Sequence, residues 1–244
     1  MMDYYNYSRS LKYFLDLYRQ PVAIRFLTKE EKEPTGFNSE SKLTFCQFVM
    51  LTQGGDHLMA TADNVACANG AAALGLRPLP EKIRRGEMQT QLNIYGNLEA
   101  AARVVAHTPR LSEGDFERIL LSPLDSAPFE PHIVIIQGPP ACLMWIVIAD
   151  NYDQGERYGF STAVSQGVCV DATIVPFLTG KINLSMGCYG SRGATDQKAE
   201  EILLGIPFPR LARIVDLLPE LKGSIIKRTR EQGAYRRLQE KLNS

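Results

Sequence analysis

Five cysteines, Cys46, Cys67, Cys142, Cys169 and Cys188, carry the most specific chemistry in this sequence. Their number is odd and their spacing wide, so they do not form the pattern of a disulfide-stapled domain. In a chain whose opening residues do not read as an export signal, they read as thiols or metal ligands of a reducing cytoplasm. Thiolates are the usual protein ligands of iron–sulfur clusters and common ligands of zinc, and four converging sulfurs satisfy either site. Cys46 precedes Cys67 by 21 residues and Cys169 precedes Cys188 by 19. Each pair is expected to span a helix, a strand and a small-residue turn, a pattern that points to two similar αβ halves. Cys142, inside Ala141-Cys142-Leu143-Met144-Trp145, is expected in the core. With no Cys-x-x-Cys in the chain, a second reading of the quartet stays open, in which the thiols pack as small hydrophobes.

Glycine-rich turns are the second source of chemistry. Gly187, Gly190 and Gly193 let the backbone around Cys188 approach a ligand closely, and Arg192 has the planar fork that holds a carboxylate or phosphate. Gly70 could serve in the same way after Cys67, with Arg25 as a further anion contact. The spacing matches neither the phosphate loop nor the dinucleotide fingerprint, so an ordinary turn beside a surface arginine is the competing reading. Catalytic constellations are harder to find, and a thiol nucleophile would need one of the three histidines beside it in the fold. Gly159-Phe160-Ser161-Thr162-Ala163 departs from the nucleophile elbow at its last position. His57, His107 and His132 share no ligand spacing and are expected to be surface or hydrogen-bonded side chains.

The elements that must position these residues follow from periodicity. Leu11, Phe14, Leu15 and Tyr18 predict a helix, closed by Pro21 before the strand-like run Val22 to Leu27. Leu43 to Thr52 predicts a helix carrying Cys46, ended by Gly54-Gly55. A strand over His57 to Thr61 then leads to a small-residue helix after Cys67, and Leu98 to His107 gives another helix. Thr108 to Pro131 reads as loop. His132 to Gln137 has the continuous apolar character of a strand buried on both faces. Pro140 begins a helix through Trp145. Cys169 opens a helix reaching Phe177, Lys181 to Met186 predicts a strand, and Pro209 to Leu242 is helical by period. The expected architecture is α/β, with α+β as the alternative, in a single domain over 1–244. Within it, similar halves are expected over 20–107 and 130–206, followed by a helical segment over 207–244.

Composition excludes several classes. The 244 residues contain 45% hydrophobic and 22% charged residues, ordinary for a globular chain. Lys plus Arg and Asp plus Glu both number 27, so no global field draws the protein toward nucleic acid or an anionic membrane. No apolar run reaches the length of a membrane span. The basic residues Lys222, Lys227, Arg228, Arg230, Arg236, Arg237 and Lys241 are interrupted by Glu231 and Glu240, which suits a solvated helix face or a contact in a homo-oligomer better than a nucleic-acid site.

Several of these stretches together resemble a known family. Pro21 to Phe26, Phe45-Cys46, Cys67-Ala68-Asn69-Gly70 through Leu74-Gly75-Leu76, Gly187-Cys188-Tyr189-Gly190-Ser191-Arg192, Glu200 and Gly205-Ile206-Pro207 resemble, in order, the uncharacterised prokaryotic family called domain of unknown function one-six-nine. The resemblance implies that Cys46, Cys67, Cys169 and Cys188 occupy positions where such proteins have cysteine and that Cys142 does not. It names no metal, substrate or reaction. The quartet reading requires the four sulfurs to face one void.

Overall fold

In a computed structural model, residues 4–221 and 233–243 are described. Six strands form one sheet in the order β2-β3-β1-β4-β6-β5, where β1 is Val22–Leu27, β2 Leu58–Thr61, β3 Arg118–Pro123, β4 Ile133–Gly138, β5 Asn183–Ser185 and β6 Ile202–Pro207. Every pairing between these strands is antiparallel. The fold is therefore mixed α/β. From the centre outward, each half of the sheet runs through its first, third and second strand in chain order. The second strand of each half, β2 or β5, is thus placed at an edge.

Strand alternation divides the core into two layers. Val22, Ile24, Phe26, Ile119, Leu121, Ile133 and Ile135 face one side, where they meet Phe45, Phe48 and Val49 of α2 (Phe45–Gln53). The same layer holds Ala71 and Ala73 of α3 (Ala68–Ala73) and a π-helix over Gly167–Ile174 that runs on into a short α-helix, Val175–Thr179. Leu120, Val134, Ile136, Leu204 and Ile206 face the other side, against α1 (Tyr4–Leu15), the helix Pro140–Asp150 and the helix Phe208–Leu221. All six residues of β4 are buried, as its continuous apolar run predicts.

Two strands depart from expectation. The segment read as loop from Thr108 to Pro131 contains β3, which lies between β1 and β2. Its strand character comes from pairing on both edges, which a short Ile119-Leu120-Leu121 run does not advertise. β6 adjoins the last long helix without a break, and its apolar residues merge with that helix in the sequence. Gly233–Leu242 is helical, with Arg236, Arg237 and Lys241 exposed. Lys222, Lys227, Arg228 and Arg230 lie outside the described residues. Among the described residues no helix is long and apolar enough to cross a membrane.

A buried ion pair ties the chain's N-terminal part to its second half. The Arg19 guanidinium is 8% exposed and donates to Glu201 through Nε at 2.9 Å and Nη2 at 3.1 Å, while its Nη1 reaches both carboxylate oxygens of Asp196. Glu201 is fully buried and also accepts from the Gln137 amide at 2.9 Å, the Lys198 backbone N–H at 2.9 Å and the Tyr18 hydroxyl. Burial alone pushes this carboxyl up, but the hydrogen bonds from Arg19, Tyr18, Lys198 and Gln137 outweigh it and bring the pKa down to about 2. Because the ordinary value is 4.5, the stabilisation is complete above that pH and is lost as pH falls from there through about 2. Removing the charge leaves Arg19 with a buried, unmatched face, so Glu201→Gln should lower stability by about 3 kcal/mol near neutral pH. Denaturant titrations at about pH 7 and about pH 3 should show the wild type losing more stability on acidification than Glu201→Gln. Equal losses would show that the carboxylate is not held in this way.

Candidate functional site

All five cysteines sit at or near helix starts, and four of these starts lie on one face of the sheet. Thr44 caps α2, accepting from the Gln47 N–H while the Gln47 side chain accepts from the Thr44 N–H, and this box starts the helix with Cys46 as its second residue. Cys67 is itself the N-cap of α3, its sulfur accepting from the Gly70 N–H at 3.4 Å. Cys188 caps α4 (Tyr189–Ala194), accepting from the Ser191 N–H at 3.3 Å while the Ser191 hydroxyl accepts from the Cys188 N–H at 2.7 Å. Cys169 is the third residue of the π-helix. Side-chain amides tie these elements together. Gln47 donates to the Ala194 carbonyl at 3.1 Å, joining the start of α2 to the end of α4, and Gln166 donates to the Asn69 carbonyl at 3.0 Å, joining the π-helix to α3.

The result is a cavity of about 280 Å³ lined by Cys46, Cys67, Cys169 and Cys188 together. The sulfurs of Cys67 and Cys169 each lie 3.6 Å from the point a Cβ on Gly70 would occupy, so they are no further apart than twice that distance. Burial pushes the Cys169 thiol well up, and the nearness of Cys67, Cys188, Cys46 and Asp171 adds to it. Burial also raises Cys46, against a hydrogen bond with Thr44 at 3.0 Å, and Cys188 and Cys67 raise it further. The thiols of Cys46 and Cys169 are therefore neutral in this arrangement. Cys142, expected in the core, is only partly buried and packs against the layer on the opposite face of the sheet.

Close backbone approach makes the convergence. A Cβ on Gly167, at the start of the π-helix, would stand 2.5 Å from the Gly187 carbonyl carbon and 2.7 Å from the Cys188 nitrogen. Gly187 has φ +78° and packs against the Gln197 side chain. On the other side of the π-helix, a Cβ on Gly205 of β6 would stand 2.0 Å from the Ala172 carbonyl oxygen. Asp171 on the same helix is buried against the Thr162 hydroxyl, and burial raises its carboxyl to about 7 against that hydrogen bond. It lines a smaller cavity of about 180 Å³ with His107, on the far side of Gln166.

The anion-binding residues read from sequence divide. Gly70 and Gly190 line the cysteine cavity, and Gly187 forms the turn behind it. Arg192 is not part of the lining. Its guanidinium donates to the carbonyls of Met186, Lys198 and Glu201, so it braces the turn around Cys188. Arg25 is remote from the cavity, paired with Glu31 at 2.8 Å and donating to the Glu130 carbonyl. No Arg, Lys or His is among the lining residues. His57 meets the Ser122 hydroxyl at 2.9 Å and His132 accepts from the Phe26 N–H, in keeping with their expected bland roles. The sequence reading missed Asn69, Gln89 and Gln166 at the cavity, because uncharged amides in helical segments carry no motif.

Among the described residues, no group of three or more His, Cys, Asp or Glu side chains is arranged to hold a metal ion. The expectation of a ligand set formed by Cys46, Cys67, Cys169 and Cys188 is met only by their sharing one cavity. Three of the four sulfurs make local hydrogen bonds, Cys46 with the Thr44 hydroxyl and Cys67 and Cys188 with backbone N–H groups.

Fold and site together define an antiparallel mixed α/β protein with a thiol-lined, uncharged cavity at four helix starts. The chain belongs to the DUF169 family, described as Uncharacterised ArCR, whose profile matches residues 10–216. It is 27% identical over 204 residues to the uncharacterized protein MJ0308 of Methanocaldococcus jannaschii, covering 82% of this chain and 87% of that protein. No solved structure matches it significantly.

Gly167→Ala should test whether the close approach forms the site. With backbone atoms in the way, the substitution is expected to cost about 1–3 kcal/mol in denaturant titration. Gly193→Ala, whose Cβ meets nothing within 4 Å, should be neutral or slightly stabilising. Equal effects of the two would contradict the packing described.

Proposed function

We propose that this protein binds an iron–sulfur cluster through Cys46, Cys67, Cys169 and Cys188 and acts in electron transfer or cofactor handling in the reducing cytoplasm. The observation that carries the reading is the convergence of four thiols from four separate helix starts on one cavity, while the fifth lies across the sheet. Cysteine thiolates are the usual protein ligands of iron–sulfur clusters, and these four line one cavity. A cluster supplies one-electron redox capacity when bound.

The chain's own contribution would be to orient the ligands and surround them with apolar side chains. Thiols must lose their protons on binding, so affinity rises with pH where burial holds them neutral. The backbone N–H groups of Gly70 and Ser191 already point at two of the sulfurs and would stabilise their thiolate forms. Phe45 and Val168 shield the same space from water. No observation favours the small-anion alternative, because the arginines nominated for it are engaged elsewhere.

Anaerobically purified or reconstituted protein should be brown and contain iron and acid-labile sulfide in comparable amounts. The quadruple Cys→Ser variant should lack both, and Cys142→Ser should keep both. A folded, colourless wild type that takes up no iron after reconstitution with ferrous iron and sulfide would overturn the proposal.

A further inference from the structure

The cysteine cavity has a second wall that carries no thiol. It comes from the short helix Glu87–Gln91 and the turn after it, which present Met88, Gln89, Leu92 and Ile94 to the same space as the sulfurs. With a volume of about 280 Å³, the cavity lies near the lower end of the range of roughly 300–1,000 Å³ typical of small-molecule sites. No lining side chain is charged. A charged ligand would lose its hydration there without a compensating partner, so the wall selects for a neutral one.

Among the polar side chains of the lining, two amides have an oxygen without a partner. Gln89 is 2% exposed and Asn69 4% exposed, and each has a buried amide oxygen without a hydrogen-bond donor. Among the described residues these are the buried amide oxygens left in that condition, and both residues line this cavity. A buried acceptor without a donor is unfavourable until something supplies one, and such groups in folded proteins call for a reason. Access is open. A shallower surface depression shares Leu92, Ile94 and Tyr189 with the cavity, and Leu92 and Tyr189 are exposed.

We propose that this cavity binds a small neutral molecule with an apolar body and an amide-like N–H donor, held by the amides of Gln89 on this wall and of Asn69 on α3 beside Cys67. The inference builds on the cluster reading in placing the ligand next to that centre, while its polar anchors are separate from the thiols.

Benzamide is the probe, with benzoate and toluene as comparators, followed by ligand-observed NMR on the full chain. Benzamide should bind at least tenfold more tightly than either comparator, since benzoate adds a charge and toluene lacks the donor. Gln89→Met, which keeps the shape and removes the amide, should weaken benzamide at least fivefold and leave toluene unchanged. Equal affinity for benzamide and toluene in the wild type, or no binding of benzamide, would overturn the proposal without recourse to any variant. An unchanged benzamide affinity in folded Gln89→Met would overturn the assigned anchor and with it the proposal. Benzamide binding that persists in a metal-free wild type incapable of reconstitution would sink the cluster and leave this site standing. Iron uptake without benzamide binding would do the reverse.

Discussion

The π-helix carrying Cys169 can occupy its place only because three backbone segments come closer than side chains allow. Its start presses on the Gly187–Cys188 peptide at Gly167, and its Ala172 carbonyl sits over β6 at Gly205, where even a methyl group would collide. Without those contacts the helix would ride further from the sheet, and Cys169 would leave the space it shares with Cys67 and Cys188. The sheet supplies the rest. With the second strand of each half at an edge, the helix after each edge strand begins with its cysteine cap, Cys67 in one half and Cys188 in the other.

Around the cavity the ties are amides: Gln47 joins the start of α2 to the end of the helix Tyr189–Ala194, and Gln166 joins the π-helix to α3. Outside it, Arg192 satisfies the carbonyls of Met186, Lys198 and Glu201 on either side of that helix. The charged network sits at the base of the turn that delivers Cys188, where Arg19 and Glu201 are buried together, and the Glu201 carbonyl accepts from both Arg192 and Gln197. Charge therefore anchors the segment from outside while the cavity itself stays free of it. A site built in this way suits neutral or sulfur-bonded occupants, because the wall offers amides, thiols and backbone N–H groups.

Much of this was legible in the residues. The helix over Leu98–His107, the buried strand after Pro131 and the separation of Cys142 from the other four follow from local pattern, since each is a matter of period or of an apolar neighbourhood. β3 and β6 were not legible, because their strand character is conferred by partners on both edges and not by their own short runs. The helix from Cys169 to Phe177 was legible, but nothing in the sequence marks its first part as a π-helix. Arg192 was misjudged for a related reason: a guanidinium beside glycines reads alike whether it faces a ligand or the carbonyls of its own loop, and only the fold of 186–201 decides. Asn69 and Gln89 stayed hidden because an amide becomes informative only once it is buried without a partner.

The proposed function depends on whether the four sulfurs share a centre that iron could occupy. Anomalous diffraction at the iron absorption edge, from crystals of anaerobically prepared protein, addresses that centre directly. The predicted result is a single iron peak bounded by the sulfurs of Cys46, Cys67, Cys169 and Cys188. Iron beside Cys142, or a cavity without iron in which those sulfurs keep their cap hydrogen bonds, would contradict it.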